Sequence, residues 1–144
     1  MMFAPFAGKF PAIARMETRT LMVLEGSDLP ADNYGLLEFY CNKKDCDCRR
    51  MFLYIVSEKR NATVAVIGFG WEDRKFYEKW LGYRDKKDTD EMIGPSLNTM
   101  SPQSELASVL LKHVRSVLQD KQYVERIKRH YRMFKDKVAN ELKS

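Results

Sequence analysis

Three cysteines lie within eight residues, Cys41-Asn42-Lys43-Lys44-Asp45-Cys46-Asp47-Cys48, as C-x4-C-x-C. Thiolates are the preferred donors for zinc, which takes four ligands in a tetrahedron at Zn–S distances of about 2.3 Å. The loop is polar, so the sulfurs are poorly explained as small core hydrophobes. If the segment is extended, Cys46 and Cys48 share a parity and point the same way. The motif therefore predicts a zinc site on Cys41, Cys46 and Cys48, with a structural role. A fourth ligand must come from elsewhere. His113, spaced between Leu110 and Val117 on an apolar helix face, is the first candidate. His130 is the second, and the local carboxylates Asp45 and Asp47 are the third.

The competing chemistry is redox. Lys43, Lys44, Arg49 and Arg50 surround the thiols, and cations favour thiolates. A C-x-C pair could form a strained disulfide with Cys41 as the resolving thiol. The C-x-x-C helix start of thioredoxin-like sites is missing, so metal binding is favoured over a thiol-based or metal-dependent enzyme. A deaminase-type zinc also needs an acid–base Glu in an H-x-E or C-x-E setting. Glu38 is three residues before Cys41 and falls on the opposite face of its strand. No catalytic residue is assigned.

Two further patterns could bind ligands. Gly68-Phe69-Gly70 gives G-x-G but lacks the third glycine of a dinucleotide fingerprint. Glu72 and Asp73 follow and would repel phosphate, so close packing is the better reading of these glycines. Between Lys121 and Lys137 there are seven Lys or Arg and two acids, equal to the whole chain's net charge of +5. Lys121, Lys128, Arg129, Arg132 and Lys135 would carry any contact with nucleic acid. A solvated outer helix face is the alternative explanation.

These residues need a scaffold. The chain has 144 residues, 44% hydrophobic and 31% charged. That excludes disordered and low-complexity classes and suffices for a core without staples. No apolar run reaches the ~20 residues of a membrane span. The odd cysteine number argues against a disulfide scaffold. No secretory or transit signal is read at the start, so the cytoplasm is expected, where thiols stay reduced.

Strands are predicted over 18–25, 34–41, 49–57 and 62–71, joined by short turns and hence antiparallel. Helices follow: 72–81, capped by Asp73 and stopped by Gly82, and then two from Ser101-Pro102 onward, separated by Asp120. Residues 83–100 read as a mobile polar connection. The fold class is α+β, a four-stranded, mostly antiparallel sheet with C-terminal helices on one face. Residues 17–144 form a single domain, and residues 1–16 a flexible arm. The third strand is apolar on both parities, so its second face calls for cover. The arm could supply it, or a second copy in a homodimer. A nucleic acid or a protein is the expected partner, with no membrane contact.

Overall fold

The computed structural model describes residues 2–141, so the last three residues of the expected domain lie outside it. The chain runs β1 (Phe3–Pro5), α1 (Phe6–Lys9), α2 (Pro11–Glu17), β2 (Arg19–Val23), β3 (Asp32–Cys41), β4 (Arg50–Ser57) and β5 (Ala62–Gly70). It continues through α3 (Arg74–Leu81), α4 (Lys86–Ile93), β6 (Ser96–Leu97), α5 (Ala107–Val117) and α6 (Lys121–Glu141). The class is α+β.

The sheet has six antiparallel strands in the order β1-β3-β4-β5-β6, and β2 shares the β3 edge with β1. The four predicted strands are present as β2 to β5. The count of four is corrected by short edge strands, β1 and β6, too brief to show a period. Residues 3–16, read from the sequence as a flexible arm, form β1, α1 and α2, and Phe6 is buried.

Period-2 alternation fixes which face is the core. Tyr34, Leu36, Glu38 and Tyr40 of β3 and Met51, Leu53 and Ile55 of β4 are buried. They pack with Leu110 and Val114 of α5 and Ile127 and Phe134 of α6 in one hydrophobic core. On the other parity, Leu37, Phe39, Phe52 and Tyr54 are half-buried. There Phe39 stacks on Tyr54 at 3.9 Å and Phe3 meets Phe52 edge-on at 4.8 Å. Helices α3 and α4 also lie on this side, so helices cover both faces rather than one. Gly70 explains the approach: a Cβ there would collide with the Tyr77 hydroxyl and the Met92 carbonyl. The glycines of G-x-G thus serve packing.

Local signals decide most helix ends. Asp73 caps α3 by accepting from the Phe76 N–H at 2.9 Å, and Gly82 ends it at φ 84°. Asp120 accepts from the Gln122 N–H at 3.0 Å and separates α5 from α6. The helix expected at Ser101-Pro102 starts only at Ala107, because the edge of β5 competes for that segment. Gln103 bridges the N–H and C=O of Val66 at 3.0 and 2.9 Å, and Ser104 bonds the Val64 carbonyl. Within the expected mobile connection, Asp85 caps α4 by accepting from the Asp88 N–H at 3.0 Å.

The core contains one charged cluster. His130 is 1% exposed. Its Nδ1 lies 2.6 Å from Glu38 Oε1 and its Nε2 lies 2.7 Å from Glu17 Oε1. Each ring nitrogen thus faces a carboxylate oxygen. Phe6 stacks on the imidazole at 4.2 Å, and the Tyr40 hydroxyl donates to Glu38 at 2.6 Å. Hydrogen bonds from His130 and Arg129 hold the Glu17 carboxyl below its ordinary range. The stability that Glu17 contributes is therefore present at neutral pH and is lost as acid protonates its carboxyl.

Removing one partner strands a buried charge. His130→Ala should cost about 3–5 kcal/mol in denaturant unfolding, and the pair Glu38→Leu with His130→Leu should cost less. Equal losses in the single and paired variants would show that charge compensation is not what the cluster provides.

Candidate metal centre

Cys41 ends β3, Cys48 precedes β4, and Cys46 sits in the loop between them. Cys41 and Cys48 are buried at 1% and 4% exposure, and Cys46 is half-buried. The three Sγ atoms lie within 4.8 Å of one another. A tetrahedral shell with bonds of about 2.3 Å places sulfurs about 3.8 Å apart, so three corners can form with little adjustment. The cluster can hold a metal ion.

The turn that gathers the sulfurs uses unusual backbone. Asp45 and Arg49 have φ of 62° and 49°. The left-handed region costs a non-glycine residue roughly 1–2 kcal/mol. At Arg49 the surroundings hold it there from every side. Its N–H donates to the Tyr131 hydroxyl of α6 at 3.1 Å, and its carbonyl accepts from the Tyr77 hydroxyl of α3 at 2.7 Å. Its guanidinium pairs with Asp47 and Glu72 and lies 4.5 Å from the Phe76 ring centre. Lys135 of α6 donates to the carbonyls of Cys41 and Lys43 at 3.3 and 2.7 Å. The Met2 carbonyl accepts from the Asn42 N–H at 2.5 Å, and Phe3 pairs with Cys41 across the sheet edge. The loop is anchored to β1, β3, β4, α3 and α6.

The thiols do not ionise alike. Hydrogen bonding from the Cys48 thiol, with further donation from the Lys43 N–H and Cys46, brings Cys41 down to about 5. The bond to Cys41 and burial push Cys48 up. Burial and the Cys41 thiolate also raise Cys46. The network thus favours Cys41 as the thiolate, and a cation among the sulfurs would favour loss of the other two protons.

Among the described residues no imidazole or carboxylate joins the three sulfurs. His113 is only half-buried, and its Nε2 lies 2.8 Å from Asp28 Oδ1. His130 is engaged by Glu17 and Glu38, while Asp47 takes Arg49 and the Tyr131 hydroxyl. Asp45 is exposed. The first-choice fourth ligand is therefore not with the cysteines: α5 turns His113 toward the loop after β2. Glu38 faces α6, opposite Cys41, as strand parity predicts.

The expected nucleic-acid contacts are dispersed. Lys128 pairs with Glu125, Arg129 with Glu17, and Lys135 with loop carbonyls, whereas Lys121 and Arg132 are exposed. A cleft of about 450 Å³ beside the loop contains Arg49, Lys128 and Arg132 together with Asp47, Glu72 and Glu125, so its charge is mixed. Sequence reasoning missed the roles of Arg49, Tyr77 and Tyr131. Glu38 carried a usable signal, as a lone acid on an otherwise apolar parity.

No family model matches the chain, and no curated protein or solved structure matches it significantly. No helix of the described residues is long and apolar enough to cross a membrane.

Because the network favours Cys41 as the thiolate, loading metal-free protein with a divalent thiophilic ion at pH 7 should release about two protons per ion. Affinity should fall as pH falls, more steeply below about 5, where Cys41 is protonated too. Calorimetry in buffers of different ionisation enthalpy measures the count, and release of three protons would contradict the assigned thiolate.

Proposed function

We propose that this chain is a small zinc-binding module with no catalytic role of its own, in which Cys41, Cys46 and Cys48 hold the ion. The convergence of the three sulfurs within 4.8 Å carries this reading. The chemistry of the donors supports zinc: three thiolates suit a borderline-soft divalent ion of flexible geometry. A structural role is supported by the loop's place, since its anchors reach both sheet faces through Tyr77 and Tyr131. An ion here would join the end of β3 to the start of β4 beside the hydrophobic core that takes in Cys41 and Cys48. The redox alternative gains less support, because two of the three sulfurs are buried.

The module engages a macromolecular partner in this reading. A protein fits the mixed-charge cleft and the half-buried aromatic face, which would also suit a second copy of the chain. Contact with nucleic acid rests on the exposed Lys121 and Arg132. A cytoplasmic setting is consistent with three reduced thiols.

Elemental analysis of protein purified without a histidine tag should give one zinc per chain. Cys46→Ser should lose it. With metal at a hundred times its Kd, the lost linkage is about 2.7 kcal/mol, or a fall in Tm of roughly 10 °C. Metal loss with an unchanged Tm would contradict the structural role, and metal-free protein would contradict the reading itself.

A further inference from the structure

We propose that the cleft between α4 and α5 binds a small phosphate monoester through Arg74, Lys86, Lys87 and Arg115. The cleft measures about 680 Å³ and is bounded by α3, α4, the Gly94-Pro95 turn, β6 and α5. That volume lies in the range of small-molecule sites. It shares no lining residue with the cysteine loop, so the proposal goes beyond the metal reading and does not depend on it.

Charge defines the ligand. The four cations face two carboxylates of the lining, Asp90 and Glu91, leaving a balance of +2. Arg74 and Lys86 both converge on Asp90, so one carboxylate serves two cations. The Lys87 and Arg115 side chains are exposed and bond no other described residue. Like charges gathered in a concave surface raise the local potential for an anion. A phosphate monoester carries close to −2 at neutral pH and offers three strong acceptor oxygens, which matches both the charge and the donors. Ile93 and Pro95 add apolar surface for the body of an ester, which free phosphate cannot use. The neighbouring charge favours a small ligand over a long polyanion. From the Asp85 cap to Glu91 there are four acids against Lys86 and Lys87. Asp85 and Asp88 stand outside the cleft lining, so a strand of phosphates following α4 would run over them, whereas one phosphate group in the cleft would not.

Isothermal titration calorimetry of the full chain with phenyl phosphate tests this, in phosphate-free buffer at about pH 7.5, where the monoester is mostly the dianion. Binding should saturate at one ligand per chain, weaken as salt rises, and be tighter than binding of inorganic phosphate. Lys87→Gln and Arg115→Gln should each weaken it about tenfold, the worth of one charge-assisted hydrogen bond. Their Tm should not change, since neither side chain has a bond to another described residue to lose. Arg132→Gln, in the cleft beside the cysteine loop, should leave the affinity as it is. No saturable binding, or equal weakening by Arg132→Gln, would overturn the proposal. Phenyl phosphate binding no tighter than inorganic phosphate would overturn the choice of an ester. A single-stranded oligonucleotide that needs Lys87 and Arg115 where phenyl phosphate does not bind would overturn the choice of a small ligand and give the cleft to nucleic acid.

Discussion

Three sulfurs held within 4.8 Å cannot all lose their protons unless a positive charge sits among them. Coulomb repulsion at that separation is steep in a partly buried setting, where screening by water is weak. Without a cation the cluster favours a thiolate at Cys41, with its two neighbours as donors. With a cation all three could become ligands. The loop from Asn42 to Arg49 is held by hydrogen bonds to α3, α6 and the N-terminal segment and by Cys48 in the core.

The fold delivers the sulfurs by rigid means. β3 and β4 are central strands whose core-facing residues Leu36, Tyr40, Met51 and Leu53 are fully buried. The register Tyr40↔Met51 sets where the intervening loop begins and ends. Arg49 turns the chain into β4 in a conformation that only its two tyrosine partners and its carboxylate partners make tolerable. Gly70 matters at a distance, because it alone lets Tyr77 come close enough to reach the Arg49 carbonyl. On the opposite flank, Glu17, Glu38 and His130 join α2, β3 and α6 through a hydrogen-bonded cluster in which Glu38 and His130 are buried. The same helix thus meets the cysteine loop through Tyr131 and Lys135 and the N-terminal segment through His130.

Elements governed by local rules could be read from the chain. The four predicted strands follow from apolar, β-branched runs bounded by turn residues, and Asp73, Gly82 and Asp120 mark helix ends by capping chemistry that needs no tertiary information. The cysteine spacing itself located the candidate centre. What escaped depended on distant partners. Ser101-Pro102 is a sound helix start, yet Gln103 and Ser104 bond β5 instead, because an unpaired strand edge offers hydrogen bonds that a helix start does not. α4 has no apolar stripe, so only its cap announced it. His113 sits at helical spacing with apolar neighbours, but spacing does not say which loop the ring will face, and Asp28 takes it. The basic run in α6 looked like one surface. Two of the five named residues, Arg129 and Lys135, bond an acid or carbonyls outside α6, and Lys128 pairs with Glu125 of its own helix.

X-ray absorption at the zinc edge of thiol-free, untagged protein examines the central claim most directly. The account predicts three sulfurs at about 2.3 Å and one lighter donor around each zinc. A shell of nitrogen and oxygen alone, or four sulfurs in the absence of added thiol, would contradict it.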